Sequence, residues 1–400
     1  MLEDVIKSRR VGTTSAAELE ANRKLAWEEF SAGKLAVDSR PFKASIEITR
    51  NCNFKCVMCA RARNPLHARY NPGFDMKPAL FRKVLEELFP HLEYAHLQGY
   101  GETTVSPHWP EILEMCRPFA DRVRFGLVTN LSRRDPAMWR TLVEMGFRIF
   151  FSCDGATPET FEKIRVGGRF ARILENLKVI AQARRRRPGG RLYFHMALQR
   201  LNYREMPQMV DLAARCGADR VSFATVKGRA GVSNHLGRLA SWVTRGRLHL
   251  GASIYEVPKD RLLAAKNGAL ERSRKTGIPI VIEDSYLAGL GETSSSSLRR
   301  PPRAERPQDY GEGIEASVAV ALHQKCFKPY SYVVVDYKGG VGPCNHLIAD
   351  ENWKQMGALG RSSFAEIWNS PAYHDMRRKL LNALPDNGAC RWCFAHRMAD

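Results

Sequence analysis

No stretch of this 400-residue chain approaches the roughly 18 to 20 unbroken apolar residues that a membrane-spanning helix needs. The opening segment, MLEDVIKSRRVGTT, lacks an apolar core and a small-residue cleavage site, so it does not read as a secretory signal and a cytoplasmic location is expected. Acidic residues are in short supply, with 42 Asp+Glu against 62 Lys+Arg and a formal net charge of +20. That surplus favours anionic partners. It is not accompanied by an aromatic-interleaved basic stripe, an RNP-type motif or a Cys/His finger, so nucleic acid is not expected among those partners. The densest basic run, Arg184 to Arg187, closes a helical stretch just before Pro188. A helix end of this kind favours cations and leaves them in solvent. The apolar fraction of 44% permits a sizeable core, and the length suits a large catalytic unit with a smaller companion.

Ten cysteines in a chain of this kind point to metal or catalysis rather than to disulfides. Their grouping carries the information. Cys52, Cys56 and Cys59 fall in one short stretch, Cys326 and Cys344 flank a hairpin-like segment, and Cys390 and Cys393 form a C-x2-C. Cys116, Cys153 and Cys216 stand alone and read as small buried apolar residues.

Residues 1–42 read as a polar helix and a linker. From 43 to 228 short β-rich runs alternate with amphipathic helical patterns, the mark of parallel βα units. Strands are expected at Ala44–Thr49, Ala95–Gly99, Val123–Thr129, Arg148–Cys153, Leu192–Leu198 and Arg220–Thr225. Six such repeats predict an α/β fold with a partial (β/α)6 TIM-type barrel, whose chemistry gathers at the C-terminal strand ends. Residues 229–325 form a connecting region, with one helix and strand near 259–282 and a low-complexity loop from Gly291 to Tyr310. Residues 326–400 read as a small α+β unit: a strand at Tyr332–Val335, a turn at Lys338-Gly339-Gly340 and one helix from Ser363 to Leu381.

Just past the first expected strand comes Cys52-Asn-Phe-Lys-Cys56-Val-Met-Cys59. Three thiolates at C-x3-C-x2-C can hold three irons of a [4Fe–4S] cube and leave the fourth without a protein ligand. Zinc would want a fourth ligand, for which the sequence offers no near candidate. This spacing at this place resembles the radical SAM superfamily. The resemblance runs over roughly residues 43–228 and 326–396. It implies that S-adenosylmethionine (SAM) binds the open iron and is cleaved reductively to methionine and a 5′-deoxyadenosyl radical.

Further elements match the family in order. Met58 fills the position that contacts adenine in relatives. Gly99-Tyr-Gly101-Glu102 resembles the GGEP element, with Thr103 where proline is usual, and Glu102 would accept from the SAM ammonium. Thr129-Asn130 and Ser152-Cys-Asp154-Gly resemble elements that close the third and fourth strands near the ribose and carboxylate; Asp154 alternatively serves as a turn residue. Arg165 matches a carboxylate-clamping arginine, and Gln199 stands near the expected adenine. Cys153, at a strand end near SAM, is then a candidate hydrogen-atom donor.

The spacing Cys326-x12-Gly339-x4-Cys344, followed by Cys390-x2-Cys393, offers four thiolates, which zinc would accept as readily as iron. The resemblance, to twitch and SPASM extensions of radical SAM enzymes, implies iron. Ala399 occupies the position of the next SPASM cysteine, so the shorter twitch form with one auxiliary [4Fe–4S] cluster is expected. The implied activity is hydrogen abstraction from a polar small-molecule substrate, anionic if the basic surplus is a guide, with net oxidation through the auxiliary cluster. A flavodoxin- or ferredoxin-type donor would supply the electron. Redox-neutral dehydration or epimerisation and peptide modification are the neighbouring chemistries. A non-catalytic iron–sulfur or zinc scaffold that binds nucleic acid is the reading from a different class.

Overall fold

The computed structural model describes residues 14–63, 67, 69–186, 189–226, 254–283, 287, 289–291, 326–345 and 355–382. Cys390, Cys393 and most of the expected low-complexity loop lie outside them. The sheet-forming strands are β1 Lys43–Ile46, β2 Tyr94–Leu97, β3 Arg124–Thr129, β4 Arg148–Ser152, β5 Arg191–Leu198, β6 Arg220–Thr225, β7 Ile280–Ile282, β8 Tyr332–Val335, β9 Gly340–Gly342 and β10 Gly357–Ala358. The helices used below are α1 Ala16–Ser31, α2 Pro78–Leu88, α3 Trp109–Cys116, α4 Pro136–Glu144, α5 Pro158–Ile164, α6 Phe170–Arg186, α7 Met206–Arg215, α8 Lys259–Thr276, α9 Phe364–Trp368 and α10 Pro371–Leu381.

The strands form one sheet in the order β10-β9-β8-β1-β2-β3-β4-β5-β6-β7, parallel from β8 through β7. This is the α/β partial barrel expected from the βα repeats. Alternation along each strand divides the side chains between two faces. Ala44, Ile46, Ala95, Leu97, Phe125, Leu127, Ile149, Phe151, Leu192 and Phe194 are wholly or almost wholly buried beneath the helices. The other face carries His96, Phe150, Ser152, Tyr193 and His195, all half-buried. On it the rings of Tyr94, His96, Phe150 and Tyr193 follow one another at centroid distances of 4.4, 5.5 and 5.1 Å. Gly126 admits the His96 ring, since a Cβ there would lie 2.8 Å from its Nδ1.

Local sequence explains the helix ends. Asp135 caps α4 through Met138 N, with Pro136 in the first turn, where no backbone donor is needed. α8 stops at Gly277, whose φ of +73° suits a residue without Cβ.

Several features differ from the sequence expectation. The strand at Ile280–Ile282, expected in a connecting region, pairs in parallel with β6 and extends the barrel sheet. β8, expected in a separate small unit, pairs in parallel with β1, Lys43 opposite Tyr332 through Ile46 opposite Val335. The expected single helix from Ser363 to Leu381 is two, because Ser370 and Pro371 start a new N-terminus. Arg184 also departs from the solvated role: it donates to Asp219 Oδ2 at 2.7 Å and to the Gly190 carbonyl.

The segment following α1 is clamped rather than a free linker. Asn369 exchanges two hydrogen bonds with the backbone of Val37, Trp368 Nε1 donates to the Ser39 carbonyl, and Tyr330 donates to that of Lys34. Arg377 is wholly buried among the rings of Trp368, Tyr373 and Tyr330, and donates to the carbonyls of Leu35 and Pro329. Burial pulls its guanidinium down to about 10. Removing this side chain would strand buried carbonyls and open a void, at a cost of about 2–4 kcal/mol.

The two cysteine groups sit at opposite ends of the strand axis. Cys52 follows the last paired row of β1, whereas Cys326 precedes the first row of β8 and Cys344 follows the antiparallel return through β9. Four residues of strand intervene, about 13 Å.

Candidate SAM and iron–sulfur site

The cysteine loop is held on three sides. Lys55 N donates to Val166 O at 2.8 Å and Val57 N to Ile164 O at 3.0 Å, so residues 55–57 run beside the end of α5. On the second side Glu102 N donates to Asn51 O at 2.8 Å. Gly101 is required there: a Cβ would lie 2.3 Å from Asn51 O. On the third side Asn53 joins Asn130 and Ser132, at 3.0 and 2.8 Å.

The thiols are unpaired. Burial pushes the Cys52 thiol up to about 12, and the Glu102 carboxylate pushes the same way. Burial also raises Cys56, which is opposed by Arg165, whose Nη1 stands 3.7 Å from its Sγ. Cys59 is half-buried, and its N donates to Cys56 O at 3.0 Å. A bound metal must therefore displace protons that burial holds on. Among the described residues no three His, Cys, Asp or Glu side chains converge on one ion. A cube takes each thiolate at a separate corner and needs no such convergence. Met58 is half-buried and packs against the core beside the loop.

Around the loop, strand ends bring polar groups together. Glu102 is buried and accepts from Thr104 Oγ1, Thr129 Oγ1 and Asn130 N at 2.6, 2.7 and 2.6 Å. Burial lifts its carboxyl above the usual range while these bonds pull it down. One oxygen is thus filled by two hydroxyls and the other keeps room for one more donor. Its observed work is to tie the ends of β2 and β3 together.

Asp154, fully buried, accepts from Ala197 N at 2.7 Å and from Arg165 Nε at 2.6 Å. The alternative in which it is only a turn residue does not describe this carboxylate. Arg165 therefore bridges Asp154 and the Cys56 thiol. Ser152, half-buried, ends β4 on the open face. Gln199 is the outlier of the set: fully buried, with neither amide atom bonded among the described residues. Leaving both unmade is costly, and a ligand with a hydrogen-bonding edge would relieve it. This orphaned amide, the unpaired thiols and the bridging arginine fit SAM and a cluster held by three cysteines.

Cys153 does not join the group. It is buried in the apolar core and its thiol donates to Gly155 O at 3.3 Å, which removes the case for a hydrogen-atom donor. Burial raises it well above the ordinary thiol value. Cys116 is core, as expected.

Some supports were not visible in the sequence. Leu131 has a φ of +59°, a region where bulky residues are strained, and Asn176 Nδ2 braces it by donating to the carbonyls of Leu131 and Arg133. Nothing in an isolated asparagine within a helix signals that role. At the other end of the sheet Lys328 Nζ stands 3.7 Å from Cys344 Sγ, and Cys326 and Cys344 pack with Met356, Met376 and Leu380.

Residues 46–213 match the model of the radical SAM superfamily, and residues 326–394 match SPASM, an iron–sulfur cluster-binding domain. Three curated proteins are similar, two of them over longer stretches than the third. One, from Pyrococcus furiosus, is a tungsten-containing aldehyde ferredoxin oxidoreductase cofactor-modifying protein, 28% identical over 183 residues, covering 44% of this chain and 48% of that protein. The other, from Granulibacter bethesdensis, is a PqqA peptide cyclase, 25% identical over 226 residues, covering 56% of each. The matched stretch thus spans about half the length of either relative. SuiB of Streptococcus suis, solved with its precursor peptide SuiA, shares the fold with a TM-score of 0.58 at 14% identity, covering 92% of this chain and 73% of SuiB.

Proposed function

We propose, from the premise that this chain belongs to the radical SAM superfamily and carries a SPASM iron–sulfur domain, that it oxidatively modifies a peptide by hydrogen-atom abstraction. SAM and a catalytic [4Fe–4S] cluster are its cofactors, with auxiliary iron–sulfur chemistry in the SPASM domain. When bound, the catalytic cluster supplies the electron that splits SAM, and the 5′-deoxyadenosyl radical so released takes hydrogen from an unactivated C–H bond.

The chain's own residues have definable parts in this reading. Cys52, Cys56 and Cys59 hold the catalytic cluster, and Cys326, Cys344, Cys390 and Cys393 the auxiliary one. Arg165, oriented by Asp154, offers its remaining N–H groups to an anion beside Cys56. Gln199 offers donor and acceptor to the adenine edge. Gly101, Glu102, Thr129, Asn130 and Ser152 shape the floor and keep water from it. Met58 packs against the ligand from the loop side.

The observation that carries the reading is the meeting of the three-thiol loop with the Asp154–Arg165 pair at the C-terminal strand ends. Peptide as substrate draws support from the PqqA peptide cyclase and from the SuiB complex. Oxidation of a polar small molecule is the second reading. It is favoured by Ala399, which stands where a longer auxiliary set would place cysteine, and by the cofactor-modifying relative. The net charge of +20 suits an acidic flavodoxin- or ferredoxin-type donor, and ten cysteines grouped for metal rather than for disulfides suit the cytoplasm. Among the described residues no helix is long and apolar enough to cross a membrane.

The test is anaerobic reconstitution with dithionite and SAM. The parent protein should release 5′-deoxyadenosine and Cys56→Ala should release none. Absence of product from fully loaded parent protein would overturn the assignment.

A further inference from the structure

A second group of polar side chains gathers beside the cysteine loop, at the ends of β2, β1 and β8, and none of these side chains has an assigned part in cofactor binding. Arg50 lies with its guanidinium carbon 5.8 Å from the Tyr100 ring centroid and 5.0 Å from that of Tyr337. Lys338 Nζ lies 5.4 Å from the same Tyr337 ring. Ring, cation, ring and cation thus alternate across three strand ends.

The group is built rather than incidental. Arg50 Nε donates to Glu47 Oε2 at 3.1 Å, and Tyr100 N donates to Glu47 Oε1 at 2.9 Å. Glu47 is almost wholly buried, in a slot that exists because residue 99 is glycine: a Cβ there would lie 2.6 Å from Glu47 Oε1. Asp336, the other nearby carboxylate, accepts from Lys338 N, Gly340 N and Gln355 Nε2 at 2.8, 2.8 and 2.9 Å. Both carboxylates are therefore spent inward, on fixing the clamp.

What remains open is cationic. The two terminal nitrogens of Arg50 have no hydrogen-bond partner among the described residues, and the side chain keeps 24% of its surface exposed. Lys338 is exposed, with no carboxylate partner among those residues. A guanidinium held between two rings presents its outer fork in one plane, which suits a planar anion with two oxygens. Flanking rings lower the local dielectric and strengthen that contact.

We propose that Arg50, clamped by Tyr100, Tyr337 and Glu47 and assisted by Lys338, is the receptor for a carboxylate of the substrate. The inference rests on the functional reading above and narrows it to carboxylate-bearing substrates, such as a peptide presenting an acidic side chain or its own terminus.

The experiment titrates the fully reconstituted, SAM-loaded protein calorimetrically with N-acetylglycine, N-acetylglycinamide and methyl phosphate. N-acetylglycine should bind saturably and the amide at least about tenfold more weakly, the scale of losing a charge-assisted hydrogen bond. Arg50→Gln should erase that preference, and Lys338→Gln should reduce it several-fold. Cluster absorbance reports whether Arg50→Gln still loads. If it does not, Lys338→Gln, on an exposed side chain, decides. No saturable binding, equal binding of acid and amide, tighter binding of methyl phosphate, or a preference that Lys338→Gln leaves undiminished each overturns the proposal. Release of 5′-deoxyadenosine by the parent protein is scored separately. A carboxylate site in a protein that cannot cleave SAM would sink the functional reading alone, and cleavage without the site would sink this inference alone.

Discussion

The loop of Cys52 to Cys59 and the pair Cys326 and Cys344 offer the same sulfur chemistry from opposite ends of neighbouring strands, and their surroundings differ sharply. The first is ringed by polar groups that already have partners: Glu102 with two hydroxyls, Asp154 with Arg165, Asn53 with Asn130. Among the described residues of that wall, Gln199 has neither amide atom bonded. The second packs against Met356, Met376 and Leu380, with one cation, Lys328, near a sulfur. A site that must receive a polar ligand beside an open iron needs a rigid, prepaid polar wall. A fully ligated electron relay needs little more than shielding and a tuned potential.

Four measurements can break or sharpen that contrast. The largest effect is expected from Cys56→Ala, which should remove about four irons per chain and all 5′-deoxyadenosine release. Retention of either would show that the polar wall does not serve that loop. Cys344→Ala should also cost about four irons, yet 5′-deoxyadenosine should still form while substrate turnover stops, as read by product analysis. Loss of SAM cleavage in this variant would mean that the two ends are not separable.

A smaller effect is expected from Asn176→Ala. It strands the carbonyls of Leu131 and Arg133 and should lower stability by about 1–3 kcal/mol in thermal unfolding. Its SAM affinity should fall with it, because Leu131 follows the Thr129-Asn130 pair. A variant as stable as the parent would show that the strained turn holds itself. The smallest effect is reserved for Lys328→Met. Removing a cation near a thiolate should lower the auxiliary potential by roughly 50 mV, about 1 kcal/mol for one electron. Protein-film voltammetry would read it, and an unmoved potential would make Lys328 a purely structural neighbour.

Much of the barrel was legible in the sequence because short β-branched runs alternate with 3.6-period helices, and β6 falls where that pattern puts it. The cysteine spacing likewise announced its chemistry. Local patterns could not say which edge a four-residue strand joins, so the parallel pairing of β8 with β1 was not visible in them. Helix α5 went unread because seven residues hold too little periodicity, yet its end supplies the carbonyls that hold residues 55–57. Glu102 was assigned outward to a ligand, whereas its geometry is mostly inward. Sequence names the charged residue at a strand end, but only the fold says how many hydroxyls have already claimed it.

The pairing of β8 with β1 also bears on how the chain comes to be folded. On the ribosome, β1 emerges early and must wait for most of the remaining chain before its second neighbour arrives. Until then one side of the strand offers unmatched amides and carbonyls to any passing polypeptide. Truncations that stop short of residue 332 should therefore aggregate however generously iron, sulfide and SAM are supplied.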